Sequence, residues 1–242
     1  LNLAHILSDN TVDPVFNPNP SGDEWSEIYS LTIVGDTLYV GGNFDSIGGE
    51  TRANLAALDA TTGLATAWNP DPDDRVYLIV AEGNEIYVGG AFSTIGGETR
   101  NGIAELDATT GLATDWNSDI SGFVYDLALT DDVIYVVGDI GVQTDEQDIY
   151  GIIALDATTG LAVDWNPDPE FAGWQWEIFG VEISNNTLYV VGAFNSIGGE
   201  LRNGLAAIDT TTGLATDWNP DPDGWVDSIF LTDSTLYVGG NF

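Results

Sequence analysis

The sequence predicts an all-β fold, a five-bladed β-propeller with four antiparallel strands in each blade. One phrase recurs five times in the 242 residues, at spacings of 48, 48, 54 and 48 residues. Its copies are LYVGGNF (38–44), IYVGGAF (86–92), IYVVGDI (134–140), LYVVGAF (188–194) and LYVGGNF (236–242). A second phrase, WNPDP or a variant of it, begins at Phe16, Trp68, Trp116, Trp165 and Trp218. A repeat of about 40 to 50 residues with several short strands is typical of propeller blades.

Each repeat contains four short segments of strand type. In the second repeat they are 76–81, 85–92, 102–107 and 112–117, and β-branched and aromatic residues dominate them. The connections EGN and DATTG are short enough for hairpins. In DATTG the Asp carboxylate can accept bonds from the turn backbone, and the Gly can adopt a positive φ. No helical period of apolar residues appears, so we expect single helical turns at most.

The repeats define a single domain of five blades. They lie at about 25–69, 75–117, 123–166 and 174–219, and the fifth combines 225–242 with 1–17. In the fifth blade, residues 3–16 align without a gap on 55–68 and supply the outer half. We therefore expect strand 235–242 to pair with strand 1–7, which would close the ring and cover two free edges. The first residue is Leu, which favours a trimmed form or a piece of a longer chain.

Composition excludes several classes of function. There are 39 acidic residues, four arginines and no lysine, for a net charge of −35. Nucleic-acid binding needs clustered Lys and Arg, so a nucleic-acid partner is excluded, and no segment is long and apolar enough for a membrane span. There is no cysteine and a single histidine, His5, so thiol chemistry is absent and proton-shuttling groups are few. The acidity indicates a salty habitat or bound calcium.

The repeat resembles the delta-60-type propeller repeats of secreted bacterial proteins. The shared pattern is a strand ending in GG-x-F, a GG turn, an Arg, an apolar strand, a Gly-containing hairpin and a strand ending in F-N-P. Residues that fit it are Gly41, Gly42, Phe44, Gly48, Gly49, Arg52, Asn69 and the stretch TVDPVFNPNP. The third repeat departs, because DIGVQTDEQDIYG replaces the GG turn and the Arg. The resemblance implies a β-propeller, export and a binding or surface role, with no catalytic residues to carry over.

Bulky side chains recur where the chain passes from one blade to the next. Counting on from the second phrase, with allowance for insertions, gives Trp25, Arg75, Phe123, Trp174 and Trp225, and Trp176 adds to the same apolar surface. Such a set near the channel mouth could contact a ligand or a partner. The alternative is a hydrophobic cover for the blade tops. The repeat tryptophans Trp68, Trp116, Trp165 and Trp218 are expected to pack between blades instead.

The same passages carry oxygen ligands that could hold calcium. The candidates are Asp71, Asp73, Asp168, Asn219, Asp221 and Asp223. Hard cations take several oxygens at short range, and alternating acids before a Gly can supply them. Proline occupies both intervening positions, and no downstream Glu completes a loop. The alternative is that Pro stiffens the passage and that the Asn and Asp side chains cap its turns.

Three arginines, Arg52, Arg100 and Arg202, share one repeat position and are expected to bind a nearby carboxylate or backbone carbonyl. A glycosidase would need two carboxylates about 5 to 9.5 Å apart in the channel. The inner strands offer Glu27, Asp126, Glu177 and Asp227. Catalysis requires one asymmetric site, however, whereas these repeats are nearly interchangeable and the acids are scattered among them.

The sequence therefore favours a non-catalytic, extracellular or cell-surface module that acts in adhesion or as a structural unit. Strand exchange at the open junction could assemble copies into a filament or layer. The alternative is a lectin-like module that stacks sugars on Trp25, Trp174 and Trp225. No cofactor is certain, calcium is a candidate ligand, and the partners would be other copies or surface glycans and proteins.

Overall fold

The computed structural model describes residues 3–22, 24–118, 120–143, 148–171, 177–233 and 235–242. The chain divides into two compact units, 1–117 and 118–242. All regular elements of the described residues are β-strands, as the sequence predicts. Within the same residues, no helix has the length and hydropathy needed to cross a membrane.

The described residues of unit 1 form ten strands. They are β1 Glu27–Val34, β2 Thr37–Asn43, β3 Ser46–Ile47, β4 Glu50–Thr51, β5 Leu55–Asp59, β6 Val76–Glu82, β7 Glu85–Gly90, β8 Thr94–Ile95, β9 Glu98–Thr99 and β10 Ile103–Asp107. The main sheets have the orders β1–β2–β5 and β6–β7–β10, and all of their pairs are antiparallel.

Unit 2 contains the remaining strands. They are β11 Ser121–Leu129, β12 Val133–Gln143, β13 Asp148–Asp156, β14 Glu170–Phe171, β15 Ile178–Ser184, β16 Thr187–Gly192, β17 Phe194–Ile197, β18 Glu200–Leu201, β19 Leu205–Asp209, β20 Trp225–Leu231 and β21 Leu236–Asn241. Its main sheets have the orders β11–β12–β13 and β15–β16–β19, and β20 pairs with β21. The four full sheets and this pair correspond to the five predicted repeats.

The first strand of every main sheet carries a bulge at the same place. In β1 it falls between Ile28 and Ser30, and in β11 between Val124 and Asp126. The register shifts at the matching point in β6, β15 and β20. A bulge inserts one unpaired residue and increases the local twist of a strand. No pattern in the sequence predicts this bulge.

The predicted fourth strand of each blade is reduced to a single bridge, which corrects the prediction of four full strands. The bridges are Leu58–Ala65, Leu106–Ala113, Leu155–Ala162 and Ile208–Ala215. In the first repeat, the amide of Thr66 donates to Ala57 O, whereas the amide of Ala65 donates to Gly48 O. The segment therefore divides its hydrogen bonds between its own sheet and the GG turn, and no ladder can continue.

Three GG turns form small hairpins of their own. Strands β3 and β4 pair across Gly48 and Gly49, whose φ angles are +64° and +86°. The pairs β8–β9 and β17–β18 repeat this geometry. Two successive residues with positive φ form a turn of type I′, which glycine adopts without steric cost. We call residues 45–52, 93–100 and 195–202 the GG hairpins.

The cores lie between consecutive sheets. In unit 1, Trp68 packs with Val76, Val88 and Phe92 of the following sheet, and its indole Nε1 donates to Asp107 O at 3.1 Å. In unit 2, Trp165 packs with Ile178 and Phe194 in the same way. Both rings are more than nine-tenths buried. These two tryptophans therefore fill the gap between neighbouring sheets, as their fixed repeat position predicts.

The two ends of the chain lie in different units and are each half of a repeat. In unit 1, Leu3 and Phe16 are buried against Val40, Phe44 and Ala56, although the backbone of 3–16 contains only the bridge Ile6–Val12. In unit 2, Tyr237 is 59% exposed and Trp218 is 40% exposed. The part of the chain that the structure describes pairs β21 with β20 alone. The closure of a five-bladed ring therefore stays a prediction.

Candidate functional site

The passages between repeats dock on the GG hairpins. We call residues 17–22, 69–74, 166–171 and 219–224 the crossings. In the first crossing, Pro18 O accepts a bond of 2.6 Å from the amide of Gly48, and Pro70 and Pro167 accept equivalent bonds from Gly96 and Gly198. Since proline fixes φ and has no N–H, it presents its carbonyl from a stiff chain. The first role of a crossing is therefore to hold the hairpin of the next sheet.

The acidic position between the two prolines has a left-handed backbone. The φ angles are +41° at Asn19, +51° at Asp71, +48° at Asp168 and +48° at Asp221. Asn and Asp tolerate this region better than other residues with a side chain. In the third crossing, the amide of Asp168 also donates to Asn166 Oδ1 at 2.9 Å. The alternation of Asn or Asp with Pro is thus explained by the turn that it forms.

Asp73 caps the hairpin that follows it. Its Oδ1 accepts bonds from the amides of Ser93 and Thr94 at 2.7 and 2.9 Å, and its own amide donates to Thr94 O. Desolvation is the largest influence and raises the pKa of Asp73, but the bonds from Thr94 and Ser93 together hold that pKa below its ordinary value. The charged carboxylate is therefore part of the docking.

Equivalent bonds occur at the other crossings. Ser21 Oγ lies 2.6 Å from Ser46 Oγ, and Ser196 Oγ donates to Glu170 Oε2 at 2.8 Å. Asp221 Oδ1 accepts from Asn203 Nδ2 at 2.9 Å, whereas Asn219 and Asp223 are exposed. Across the described ranges, no three His, Asp or Glu side chains come together as metal ligands. A melting experiment with calcium, magnesium and chelator tests whether the crossings bind calcium.

The repeated arginines bind backbone carbonyls. Nη1 of Arg100 donates to Thr99 O at 2.8 Å and Nη2 to Thr114 O at 2.7 Å, and Arg52 and Arg202 make the same pair of bonds. Arg100 and Arg202 are 9% and 8% exposed. The sequence allowed either a carboxylate or a backbone carbonyl as the partner of each arginine, and in the structure the partner is a carbonyl. Each guanidinium joins a GG hairpin to the segment that follows its sheet.

The strand register changes the predicted aromatic set. Val76, Val124, Ile178 and Val226 are equivalent to Ile28, because each faces the same glycine position of its middle strand. The residues that precede them are Glu27, Arg75, Phe123, Glu177 and Trp225. Trp25 therefore lies two residues before the repeat position. Counting residues misplaced it because the insertion in the first crossing falls before the strand.

The members of the set have different surroundings. In unit 1, the side chain of Trp25 is 65% exposed, and its backbone carbonyl accepts a hydrogen bond from Asn43 Nδ2. Arg75 is also exposed, and a hydrogen bond with the Tyr77 hydroxyl raises the pKa of the Arg75 guanidinium. In unit 2, Phe123 is 44% and Trp225 is 54% exposed. Trp174 and Trp176 lie outside the described residues.

Trp225 lies in a groove of about 230 Å³ in unit 2. We call it the Trp225 groove. Its lining residues are Ala193, Phe194, Asn195, Asn203, Gly204, Pro222, Asp223, Gly224 and Trp225. The groove thus joins two of the predicted site residues, Trp225 and Asp223, to two amide side chains that sequence reasoning missed. Asn203 follows Arg202 in the repeat, and this register was the one signal that could have placed it at the crossing.

Side chains also link the first strands of consecutive sheets. In unit 1, the amide of Ile79 donates to Ser30 Oγ at 3.0 Å, and Thr32 Oγ1 donates to Ile79 O at 2.7 Å. In unit 2, the amide of Val181 donates to Asp126 Oδ2 at 3.0 Å, and that of Leu231 to Glu182 Oε1 at 3.3 Å. These bonds satisfy strand-edge groups that no neighbouring strand pairs with.

Asp126 is the most perturbed acid of the described residues. Burial raises its pKa to about 6, against the lowering effect of bonds from the amides of Val181 and Leu127. A raised pKa is expected of a general acid, but both carboxylate oxygens of Asp126 accept backbone bonds. Its geometry is that of a link between strands β11 and β15.

Comparison with known proteins supports the β-propeller fold. Residues 84–109 match the sequence model of a family described as a domain of unknown function (DUF5122) beta-propeller. A search of curated proteins found no match. The chain is similar to the WD40 domain of Neurospora crassa Pan2, with a TM-score of 0.54 and 15% identity over 88% of this chain and 59% of that one.

Two computationally designed proteins are also similar. Ika8 gives a TM-score of 0.51 at 16% identity and covers 91% of this chain and 70% of its own. Ika4 gives a TM-score of 0.50 at 14% identity, over 81% of this chain and 98% of that one. Identities this low bear on the fold alone. The chain is thus a β-propeller repeat protein, and its function has to be argued from its own residues.

Proposed function

We propose that this protein is a non-catalytic, extracellular or cell-surface β-propeller module that self-associates by strand exchange. In this proposal, strand β21 pairs with residues 3–7 to complete a fifth blade. Pairing within one chain closes a single ring, whereas pairing between chains links copies into a filament or layer. The observation that carries the proposal is that, among the described residues, β21 pairs with β20 alone.

Sequence identity supports this pairing. Residues 38–43 and 236–241 are both LYVGGN, and β2 pairs with β5 (LAALD) whereas β21 has one neighbour among the described residues. Residues 3–7 (LAHIL) align with β5. The register of β2 and β5 then places Tyr237 opposite His5 and Val238 opposite Ala4. An unpaired edge strand is a template for pairing with another chain.

Aromatic contacts support the same pairing. In each full sheet, a tyrosine of the middle strand packs edge-on against the tryptophan that follows the sheet, at centroid distances of 5.0 to 6.0 Å. The pairs are Tyr39–Trp68, Tyr87–Trp116, Tyr135–Trp165 and Tyr189–Trp218. Tyr237 occupies the equivalent position and has no such ring contact among the described residues. Phe16, which aligns with these tryptophans, would provide it.

The charge makes self-association depend on salt. A net charge of −35 with no lysine opposes contact between copies unless salt screens it, because like charges repel over about 10 Å at 0.1 M ionic strength. Association is therefore expected to strengthen with salt. Of the four inner-strand acids considered for catalysis, Asp126 is engaged with backbone amides through both of its carboxylate oxygens.

Disulfide trapping tests the proposal, because the chain has no cysteine of its own. Residues opposite each other in an antiparallel pair lie about 4.5 to 5.5 Å apart at Cα, within the range of a disulfide. The test variant combines His5→Cys with Tyr237→Cys. The control combines His5→Cys with Val238→Cys, whose side chains point to opposite faces of the sheet.

After oxidation in high salt, we expect the test variant to give covalent multimers on a non-reducing gel and the control to stay monomeric. An internally crosslinked monomer would support the pairing but overturn the exchange between copies. Equal crosslinking in test and control, or none in the test variant, would overturn both.

A further inference from the structure

We propose that the Trp225 groove binds an uncharged pyranose residue of an oligosaccharide. This inference goes beyond self-association and does not depend on it, because none of the groove residues belongs to β21 or to 3–16. It rests on three observations, which are the exposed indole, the close backbone packing at two glycines beside it, and the polar groups along the side of the groove.

The indole of Trp225 forms one wall of the groove. It is 54% exposed, whereas Trp165 is 7% exposed. Trp225 begins β20, whose pairing with Asn241 of β21 holds its backbone. A large ring on a fixed backbone loses little conformational entropy on binding, and its apolar face suits the C–H face of a pyranose ring. Phe194, which is 2% exposed, closes the bottom of the groove.

Two glycines allow close backbone packing beside the groove. Gly204 has a φ of +61°, and a Cβ there would lie 2.8 Å from Gly192 O and 3.8 Å from Gly224 O. A Cβ at Gly224 would collide with the backbone of Asn241. Both glycines therefore permit a close approach of neighbouring backbone, and Gly204 lies near the carbonyl of Gly224 at the end of the fourth crossing.

The polar groups suit sugar hydroxyls. The groove contains the amides of Asn195 and Asn203 and the carboxylate of Asp223, and all three residues are exposed. Asn203 Nδ2 donates to Asp221 Oδ1 at 2.9 Å, which fixes the orientation of its amide. A hydroxyl both donates and accepts, as do amide groups, whereas a carboxylate only accepts. The arrangement of an apolar wall with a few oriented polar groups is typical of small-ligand sites.

The charge of the groove selects against acidic sugars. No Lys, Arg or His side chain lines it. The nearest arginine in sequence, Arg202, is buried and binds Leu201 O and Thr216 O. Asp221 and Asp223 would repel a uronate or a sulfated sugar, and the net charge of the chain adds to this repulsion.

The equivalent place in unit 1 lacks the features of the groove. Arg75 stands where unit 2 has Trp225, and Ala53 stands where it has Asn203. The repeat thus carries both pairs of residues on the same backbone. Trp225→Arg and Asn203→Ala are consequently substitutions that the repeat already accommodates, and we expect both variants to fold.

Isothermal titration calorimetry tests the proposal with cellohexaose and hexa-N-acetylchitohexaose as uncharged probes and the hexamer of galacturonic acid as an anionic one. We expect at least one uncharged hexamer to bind with a Kd of about 1 mM or tighter. Trp225→Arg and Asn203→Ala should each weaken that binding about tenfold or more. Phe230→Ala, which removes an exposed aromatic ring of β20 outside the groove, should leave it unchanged.

Three results would overturn the proposal. They are no binding of either uncharged hexamer, equal binding of the galacturonate hexamer, and unchanged binding by Trp225→Arg. Thermal melting of each variant checks that the fold is retained. Disulfide trapping at residues 5 and 237 is independent of these titrations, so failure of the sugar site and failure of strand exchange are distinguishable.

Discussion

The carboxylate of Asp126 accepts a bond of 3.0 Å from the backbone amide of Val181, one repeat further along the chain. Asp126 follows the bulge of β11, and Val181 lies in the first strand of the next sheet. The Asp126 side chain thus accepts the backbone hydrogen bond that a carbonyl of a neighbouring strand would otherwise accept. Because burial raises the pKa of Asp126, its protonation makes the stability of unit 2 depend on pH.

We predict that stability increases as the pH falls from 7 to 5. The pKa of Asp126 in the folded state is about 6, above its ordinary value of 3.8, so protonation favours the folded state. The contribution is complete below pH 3.8 and is lost as the pH rises through 6. Between pH 7 and pH 5, a folded-state pKa of 6 raises the free energy of unfolding by about 1.4 kcal/mol. Burial raises the pKa of Glu182 as well, in the same direction.

Urea unfolding at several pH values and high ionic strength checks this prediction, because screening suppresses the general effect of the net charge. Asp126→Asn should flatten the pH dependence between 5 and 7. Asp227→Asn, at an exposed position of β20, should not. A pH profile that is the same in both variants and in the parent would show that the buried acid is not its source.

The two glycines of the first GG hairpin should differ in their tolerance of alanine. Both have positive φ, so each Gly→Ala change costs about 1 kcal/mol or somewhat more in backbone strain. A Cβ at Gly48 would also collide with the backbone of Ala65, at 2.9 Å from its Cα, whereas a Cβ at Gly49 meets nothing within 4 Å. We expect Gly48→Ala to be less stable than Gly49→Ala by about 1 to 3 kcal/mol.

Chemical denaturation of the two variants measures this difference. Because the backbone strain is common to both, the difference reports how tightly the hairpin is docked on residues 64–66. Equal losses of stability would mean that the hairpin can move away from that segment at no cost.

We predict that Asp73→Ala destabilises the protein by about 1 to 2 kcal/mol at pH 7. The change leaves the amides of Ser93 and Thr94 without their acceptor. The pKa of Asp73 is held below its ordinary value, so its contribution is present above pH 3.8 and is lost as the pH falls through the lower folded value. The loss should therefore be small in strong acid.

Thermal melting at pH 7 and pH 3 measures this effect, with Glu98→Ala as a control on the exposed face of the same hairpin. Asp73→Asn keeps one acceptor oxygen and should retain part of the stability. If Asp73→Ala were as stable as the parent at pH 7, the bond between Gly96 and Pro70 alone would hold the hairpin against the crossing.

Calcium is expected to have no specific effect on melting. The carboxylate of Asp73 is already bound to two amides, and Asp221 already accepts a bond from Asn203. Melting in calcium, in magnesium and in chelator at constant ionic strength compares the cation with its screening effect. A rise with calcium several degrees greater than that with magnesium would restore the crossings as calcium sites, and substitution of Asp221 or Asp223 would then locate them.

The fold and the candidate site differ in how far the sequence predicted them. The repeat period predicted the first, middle and third strands, because alternating apolar residues and DATTG turns are local signals. Asp59 shows this locality, since its Oδ1 accepts from the amides of Thr61 and Thr62, only two and three residues away. The Trp225 groove is different, because its hydrogen bond between Asn203 and Asp221 joins residues 18 positions apart, with strand β19 between them in the chain.

The sequence by itself determined that this protein is built from β repeats, where the repeats lie and which residues turn the chain between strands. These are short-range properties, set by side-chain alternation and by the few residues that tolerate positive φ. Only the tertiary structure decided that the fourth strand is a single bridge, that Asp73 and the arginines hold hairpins, and that Trp225 lies beside Asn203. Those outcomes depend on competition for backbone hydrogen bonds between distant segments, which no repeat period records.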